Sequence, residues 1–308
     1  MSIRVTPLTD PARNAYSRRL VWLAQDEEGN PVGTASLRLS TDPGQAHLAD
    51  LAVRVHPAER RRGVGSRLVE AALATARAEG RRAVVAPAGD GTAGEAFLTA
   101  RGFRRALTLR HTRLDLTAAG ADAAGGERAL GKGAGAEGGA GAERGAGAEY
   151  RLVAWDGTVP DDLAASYAAA RRAMDDMPMG EVDYGRMTWD VERLRAVARA
   201  VAERGEHLHT VAAVSTADGA VAGFTELVVP ADGLGDGLHY GTAVLPAHRG
   251  HGLARRMKAE AIRRARGRHP LLAGLVTDTA EDNSPMRRVN ESLGYRPTHE
   301  TYRYQREL

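Results

Sequence analysis

Two short glycine-containing turns carry the clearest chemical signal in the sequence. The first reads Arg60-Arg61-Arg62-Gly63-Val64-Gly65-Ser66 and the second reads Arg249-Gly250-His251-Gly252-Leu253-Ala254. Each follows a strand-like run and opens a run with helical periodicity. Glycine lets the backbone adopt left-handed conformations and approach a ligand closely. The N–H groups at a helix start attract anions, and arginine adds charge. The turns therefore predict two sites for a pyrophosphate group.

Other interpretations of the turns stay open at this point. Neither turn contains the Gly-Lys-Ser/Thr of a Walker loop or the GxGxxG of a dinucleotide fingerprint. Each is also compatible with an ordinary basic surface turn. The arginines of residues 60–62 raise contact with nucleic acid as a further alternative. No aromatic residue is interleaved with them to stack on bases, and the net charge is only +3, so we expect no nucleic-acid partner.

The two turns lie in matching stretches of the chain. Residues 47–80 and 238–267 each read as an apolar strand, a proline, the turn and a helix. A short strand and a second helix follow, and that helix ends in Gly102-Phe103 or Gly294-Tyr295. Alternation of strands and helices in both halves predicts an α/β (α+β) fold built from two related domains. Residues 161–173 and 190–204 predict two more helices, ahead of the second repeat only.

Residues 118–149 differ in composition from the rest of the chain. They contain eleven Gly and twelve Ala among 32 residues, and no aromatic residue. Because such a stretch has little to bury, we predict a flexible linker between domains at residues 1–117 and 150–308. The chain has no cysteine, which excludes a disulfide scaffold, a cysteine-bound metal and a thiol nucleophile. No apolar run approaches the ~18 residues of a membrane span, and no signal-peptide pattern is present, so we expect a cytoplasmic protein with no metal and no membrane partner.

Together these features resemble the GNAT N-acetyltransferase superfamily. Its motif Gln/Arg-x-x-Gly-x-Gly/Ala, matched by both turns, binds the pyrophosphate of acetyl-CoA. The tandem layout resembles mycothiol synthase and other two-domain actinobacterial members. The resemblance covers nearly everything except residues 118–149. It implies two domains, each with a mixed, mostly antiparallel sheet flanked by helices, and acyl transfer as the activity.

The resemblance also implies which residues hold the cofactor. In this family the strand before the turn splays from its neighbour and pairs with pantetheine through backbone groups that polarise the thioester. The matching positions are Ala243, Val244 and Leu245 in the second half and Val53, Arg54 and Val55 in the first. The phosphates would contact the turns at Arg249, Gly250, His251, Gly252, Leu253 and Ala254, and at Arg60, Arg61, Arg62, Gly63, Val64, Gly65 and Ser66. Asn283 matches a cofactor-binding Asn of the family and is also a good helix N-cap.

Three residues are candidates for the proton transfers. The family often carries a general-acid Tyr four residues before the terminal glycine, but this chain has Asn290 there, which can donate a hydrogen bond and not a proton. Glu226 lies in the apolar run 223–229, where a carboxylate is costly unless it is used or solvated, so we predict a general base. Its alternative is a solvent-facing position. His239, on the next strand, is the second candidate, acting through water.

The second half contains a loop that predicts the acceptor site. Residues 174–184 combine three Met with acidic residues, of which Asp175, Asp176 and Glu181 are predicted to attract a cationic amine. A solvated acidic loop with packed Met is the alternative. The first half has no such segment, so we predict catalysis in residues 150–308 and an incomplete acceptor side in residues 1–117. The predicted function is direct transfer of an acetyl group from acetyl-CoA to a small primary amine. The alternative is a non-catalytic acyl-CoA-binding or sensing protein, and the amine and the oligomeric state stay open.

Overall fold

A computed structural model of the chain describes residues 2–10, 16–117 and 149–308. The predicted linker lies outside these residues except for Glu149. The first half contains β1 (Arg4–Leu8), β2 (Ser17–Gln25), β3 (Pro31–Ser40), β4 (Leu48–Val55), α1 (Val64–Ala78), β5 (Ala83–Gly89), α2 (Ala93–Thr99) and β6 (Arg104–Asp115).

The second half repeats this order with two added helices. It contains β7 (Tyr150–Asp156), α3 (Asp161–Ala170), α4 (Val191–Glu203), β8 (Glu206–Ser215), β9 (Val221–Pro230), β10 (Asp236–Val244), α5 (Leu253–Arg268), β11 (Gly274–Ala280), α6 (Ser284–Ser292) and β12 (Arg296–Glu307). The two predicted extra helices are therefore confirmed, and a 3-10 turn, Arg171–Met174, follows α3 directly. The predicted fold class is also confirmed, since a mixed sheet is flanked by helices in both halves.

The described strands form one sheet in the order β1-β2-β3-β4-β5-β12-β6-β11-β10-β9-β8-β7. The last strand of each half pairs with the other half. β12 lies between β5 and β6, and β6 lies between β12 and β11. The two repeats therefore exchange their final strands. The linker composition did not predict this arrangement, because strand exchange depends on pairings between residues far apart in sequence.

Both halves have a gap in the sheet beside the glycine turn. Only β4–β5 and β10–β11 are parallel, and each pair matches over three residues. The pairing runs from Leu48↔Ala83 to Asp50↔Val85 in the first half and from Asp236↔Gly274 to Leu238↔Val276 in the second. Beyond those positions the two strands of each pair separate. From His239 onward, the side of β10 that faces β11 has no strand partner among the described residues.

Helices cover both faces of the second-half sheet. Phe224 packs with Tyr167 of α3 on one face, and Leu227 packs with Ile262 of α5 on the other. Because side chains alternate along a strand, Glu226 points to the α3 face with Phe224, and Thr225 points to the α5 face with Leu227. Directly paired residues of neighbouring strands share a face, so Thr242 and His239 of β10, which pair with Thr225 and Leu227, also lie on the α5 face.

The first half has α1 on one face and, within residues 2–10 and 16–117, no counterpart of α3 and α4. Part of its other face is covered by residues 175–190 of the second half, here called the crossing segment. Val182 of this segment is buried against Leu107 of β6, and the Glu181 N–H donates to the Ala106 carbonyl at 2.7 Å. At its end, Arg193 of α4 forms a buried ion pair with Asp42 at 2.7 Å. The crossing segment therefore joins the two halves.

None of the helices in the described ranges is long and apolar enough to cross a membrane.

Candidate active site

The two predicted turns have the same backbone conformation. Gly250 and Gly252 have φ of 85° and 67°, and their counterparts Arg61 and Gly63 have φ of 65° and 84°. α1 and α5 begin directly after these turns, and neither N-cap makes a side-chain hydrogen bond. The N–H groups of each first turn are therefore free of side-chain caps and form a concave, anion-attracting surface.

The second-half turn is open in front of its glycines. A Cβ atom added at Gly250 or Gly252 would meet nothing within 4 Å. The glycines are therefore required by the positive φ and leave room for a ligand to approach the backbone. In the first half Gly63, the counterpart of Gly252, is equally open, but a Cβ at Gly65, the counterpart of Ala254, would lie 2.9 Å from Cε2 of the Phe97 ring. Arg101 stacks on that ring at 3.9 Å and its guanidinium donates to the Ser66 hydroxyl.

Arg249 links the turn to the predicted acceptor loop. Its Nη2 donates to both carboxylate oxygens of Asp176 at 2.8 Å, and its Nε donates to the Val244 carbonyl at 3.0 Å. The pair is half-exposed. Arg249 was predicted to contact phosphates and Asp176 to attract an amine, and the structure brings these two side chains together instead of leaving Asp176 free.

The other predicted acceptor carboxylates lie apart from each other. Glu181, on the crossing segment, pairs with Arg104 of the first half, and Asp175 is exposed at the end of the 3-10 turn. The methionines of the same loop behave differently, because Met174, Met177 and Met179 line the cavity described next. The loop therefore contributes apolar surface at the site and uses two carboxylates, Glu181 and Asp183, to contact the first half.

A cavity of about 270 Å³ lies where β10 and β11 separate. Its walls come from β6, β10, β11, β12, the 3-10 turn and crossing segment, α5 and the start of α6. The lining residues central to the chemistry are His239, Gly241, Thr242, Lys258, Asn283 and Thr279. Asn283 caps α6 by accepting from the Met286 N–H at 3.3 Å, so the predicted N-cap is confirmed. The cavity reaches β10 as far as Thr242 and α5 at Lys258, which lies six residues after Gly252 of the glycine turn.

Glu226 lies away from this cavity in a closed polar network. It is 3% exposed, and it accepts hydrogen bonds from the Tyr167 hydroxyl at 2.5 Å and the Arg171 guanidinium at 2.7 Å. Arg171 in turn stacks on Trp189 at 3.9 Å. Burial, with the nearby Glu226 charge, raises the pKa of Tyr167 well above its usual range, so the phenol stays a donor. Neither the predicted exposed position nor a free base matches this environment.

His239 is the predicted base that lines the cavity. A bulge in the β9–β10 pairing falls between His239 and Gly241, and bulges redirect side chains. The ring is buried, its Nδ1 lies 3.5 Å from the Thr225 hydroxyl, and its Nε2 has no partner in the described part of the chain. Burial, together with the charge of Lys258, lowers the pKa of His239 well below its usual value. The imidazole is therefore neutral.

Asn290 lies one layer behind the cavity. Its Nδ2 donates to the Thr279 hydroxyl at 3.2 Å, and its Oδ1 has no partner among the described residues. Thr279 lines the cavity, so Asn290 reaches the site through one intermediate side chain.

Sequence reasoning missed Lys258. This lysine lies on the buried face of α5 and lines the cavity. The signal was present, because Lys258 occupies a place in the apolar stripe of α5 next to Met257 and four residues before Ile262. It is 1% exposed.

Comparison with known proteins agrees with this geometry. The acetyltransferase (GNAT) family model matches residues 4–103 and 174–295. The chain belongs to the GNAT acetyltransferase family. It contains two GNAT domains, each with the splayed parallel strands and the glycine turn described above. Members of this family are acyltransferases that generally use acetyl-CoA, so acyl transfer is the class of reaction to which the site belongs.

Solved structures support the tandem arrangement. A tandem GNAT protein from the clavulanic acid biosynthesis pathway is 26% identical, with a TM-score of 0.72 over 96% of this chain and 84% of that chain. A GCN5-related N-acetyltransferase from Sphaerobacter thermophilus is 15% identical, with a TM-score of 0.62 over 93% of this chain and 80% of that chain, and shares the fold. No functionally curated protein matches the sequence.

Proposed function

We propose that the second GNAT domain transfers an acetyl group from acetyl-CoA to a primary amine of a small molecule by direct attack. The observation that carries this proposal is the cavity at the separation of β10 and β11, next to an open, left-handed glycine turn that begins α5. An anion-binding turn and a reaction cavity joined by a free strand edge suit a long cofactor with phosphates at one end and a thioester at the other.

The residues present fit such a cofactor. The N–H groups of Gly250 to Ala254 and the start of α5 would hold the pyrophosphate, with Arg249 kept in place by Asp176 and Val244. The free edge of β10 up to Leu245 would pair with the pantetheine amides, and Asn283 would contact the cofactor from α6. Acetyl-CoA supplies the activated acyl group, and backbone N–H groups of β10 would stabilise the developing oxyanion.

Among the predicted bases, His239 suits proton acceptance from the amine. Its neutral ring lines the cavity and has an unpartnered Nε2 among the described residues, so a water or the amine itself can donate to it. We assign Glu226 a positioning role instead. Its ion pair with Arg171 and its bond to Tyr167 fix α3 against β9 and thereby hold Met174 at the cavity wall.

The proposal is tested with the full chain, acetyl-CoA and a panel of primary amines that includes polyamines, amino sugars and amino acids. We expect CoA to bind, measured by calorimetry, and free thiol to be released only when a suitable amine is present. Binding of CoA without thiol release for any amine would favour the non-catalytic acyl-CoA-binding alternative, which the replacement of the general-acid Tyr by Asn290 supports. Absence of CoA binding would contradict both.

A further inference from the structure

The cavity contains a buried lysine that has no ion pair. Lys258 is 1% exposed and makes no hydrogen bond or salt bridge with any residue in the ranges 2–10, 16–117 and 149–308. Its Nζ lies 5.1 Å from the centre of the Tyr295 ring, a cation–π contact. An unpaired buried ammonium is costly. Its presence therefore calls for a use that offsets the lost stability.

The composition of the chain makes this lysine unusual. Of the 42 basic residues only two are lysines, Lys132 and Lys258, and the rest are arginines. Arginine supplies a fixed charge, while only lysine of the two can release a proton near neutral pH. A chain that uses arginine almost everywhere else has a lysine at this core position, which faces the cavity. That choice indicates proton transfer and not charge alone.

The two repeats differ at the position of Lys258. The offset of 189 residues that relates Gly63 to Gly252 pairs Lys258 with Val69 of α1, and both side chains are 1% exposed. An apolar residue is therefore compatible with the packing of the helix at this position. Lys258 is confined to the half in which the separated strands β10 and β11 line a cavity together with the helix, which ties it to the chemistry of that half.

Lys258 lies on the cofactor side of the sheet. It projects from α5, the helix that the glycine turn begins, and it shares the α5 face with His239 and Thr242. The methionines of the acceptor loop lie beyond the opposite face, since Met174 follows α3 directly. Lys258 therefore reaches the cavity from the side of the glycine turn, opposite to the acceptor methionines.

We propose that Lys258 is the proton donor to the departing CoA thiolate, the role left open by Asn290. This inference rests on the proposed acyl transfer. The amine nitrogen forms a bond to the thioester carbon and the carbon–sulfur bond breaks. Lys258 gives its proton to the sulfur, and His239 takes the proton that the amine loses. The proton returns from His239 to Lys258 after the product leaves, so no proton is consumed.

The neighbouring charges favour this exchange. Burial lowers the pKa of Lys258 to about 7, below the ~8.5 of an ordinary thiol, so transfer to the thiolate is downhill. The Lys258 charge is also one cause of the low pKa of His239. When Lys258 gives up its proton, that repulsion disappears and His239 becomes a better base, so the cavity keeps one positive charge throughout. The other titratable groups around the cavity are Tyr184, Tyr240, Asp278, Tyr295 and Arg303.

The first test uses the full chain labelled with ¹³C- and ¹⁵N-lysine, which gives signals from two lysines only. Lys132→Arg is the control that identifies the Lys258 signal. We expect the Lys258 signal to titrate with a midpoint near 7 and the Lys132 signal near the ordinary ~10.4. A Lys258 midpoint near 10 would overturn the inference, and this readout does not depend on finding the amine substrate.

The second test compares Lys258→Met, Lys258→Arg and Lys132→Arg in the acetyl-transfer assay. We expect both Lys258 variants to lower kcat by about 10²-fold, the lower end for general acid catalysis, with little change in KM for acetyl-CoA. The rate of the wild type should fall as pH rises above the lysine midpoint, and Lys258→Met should lose that alkaline limb. Normal kcat in Lys258→Arg would show that a positive charge suffices. That result would overturn the role of Lys258 as proton donor and leave the proposed acetyl transfer standing. A wild type that binds CoA but transfers nothing would instead contradict the proposed function.

Discussion

The two GNAT domains share their backbone and differ in what fills the gap beside the turn. In the second half the gap opens into a cavity lined by His239 and Lys258. In the first half Phe97 packs onto Gly65, and Arg101 holds the ring and the Ser66 hydroxyl. The turn itself keeps its conformation in the first half at a cost, because Arg61 is the one non-glycine residue with positive φ among the described residues. The two halves therefore share the anion-binding backbone of the turn and differ in the space beside it.

The two halves also differ on the acceptor side, where only the second half has its own helices. The second half has α3 and α4, while the equivalent face of the first half is covered by the crossing segment. Its contacts include the buried Asp42–Arg193 pair, where hydrogen bonds from Thr188 and Arg193 hold the pKa of Asp42 below its usual value despite burial. The first domain thus uses its surface to support the second, and each domain completes its sheet with a final strand from the other.

The largest expected effect tests whether the two turns are equivalent. Gly252→Val should weaken CoA binding by about 10²-fold or more, because valine is strained at φ of 67° and blocks approach to the backbone. Gly63→Val should change CoA affinity much less, since Phe97 fills the space at Gly65, two residues further along the same turn. Gly80→Val is the matched control, with φ of 71° and equally open surroundings after the C-terminal end of α1. Calorimetry should give one tight site per chain. Equal losses from Gly252→Val and Gly63→Val would contradict the division.

The next effect concerns the role of Glu226 in the second half. Glu226→Gln leaves the buried Arg171 without its counter-charge but keeps one oxygen to accept hydrogen bonds, so we expect a loss of about 2 kcal/mol in unfolding free energy. If Glu226 only positions α3, the remaining folded protein should keep its pH–rate profile. Denaturant unfolding and the pH dependence of kcat measure the two quantities. Unchanged stability with a kcat lowered by ~10²-fold would restore Glu226 as the base.

Local sequence signals predicted the parts of the site that depend on local conformation. The glycines at 63, 250 and 252 are required by left-handed backbone, and Asn283 precedes Pro285 at a helix start. These residue types are favoured by the conformation itself. The two repeats followed because strand and helix periodicities recur at a nearly constant offset.

Features that depend on distant contacts had no such signal. Every residue from Val221 to Val229 of β9 is buried, so alternation of polar and apolar residues could not assign Glu226 to a face. Asp176 and Arg249 are 73 residues apart, and the strand exchange joins residues nearly 200 positions apart. Lys258 interrupts the apolar stripe of α5, but a single polar residue in such a stripe does not change the helical periodicity. The pattern therefore gave no reason to single it out.

A third prediction concerns a difference between α1 and α5, the helices that begin at the turns, in how they affect the pH dependence of stability. The buried Lys258 has a lowered pKa, so the unfolded chain binds more protons than the folded chain between about pH 7 and 10. Stability therefore rises with pH in that window, by about 1.4 kcal/mol per pH unit for one proton. Lys258→Met, which places an apolar residue where the first repeat has Val69, should remove this rise and be more stable than the wild type at pH 7. Chemical denaturation from pH 6 to 10 measures it, with Lys132→Arg as control. A parallel pH dependence in the wild type and Lys258→Met would contradict the depressed pKa.

The smallest expected effect concerns Asp176, whose counterpart is absent from the first half. The Asp176–Arg249 pair is half-exposed, and such pairs contribute about 1 kcal/mol or less. Asp176→Asn removes a negative charge beside the proposed phosphate site and releases Arg249 to contact the phosphates. We therefore expect CoA affinity to rise by about two- to five-fold at low salt, and the gain to shrink as salt screens the charges. Asp175→Asn, one residue away and exposed, removes the same charge without releasing Arg249 and should change CoA affinity less. If Asp176→Asn instead left CoA affinity unchanged and raised the KM for the amine, the carboxylate would act on the acceptor, and the comparison of the two halves would move from the cofactor channel to the acceptor loop.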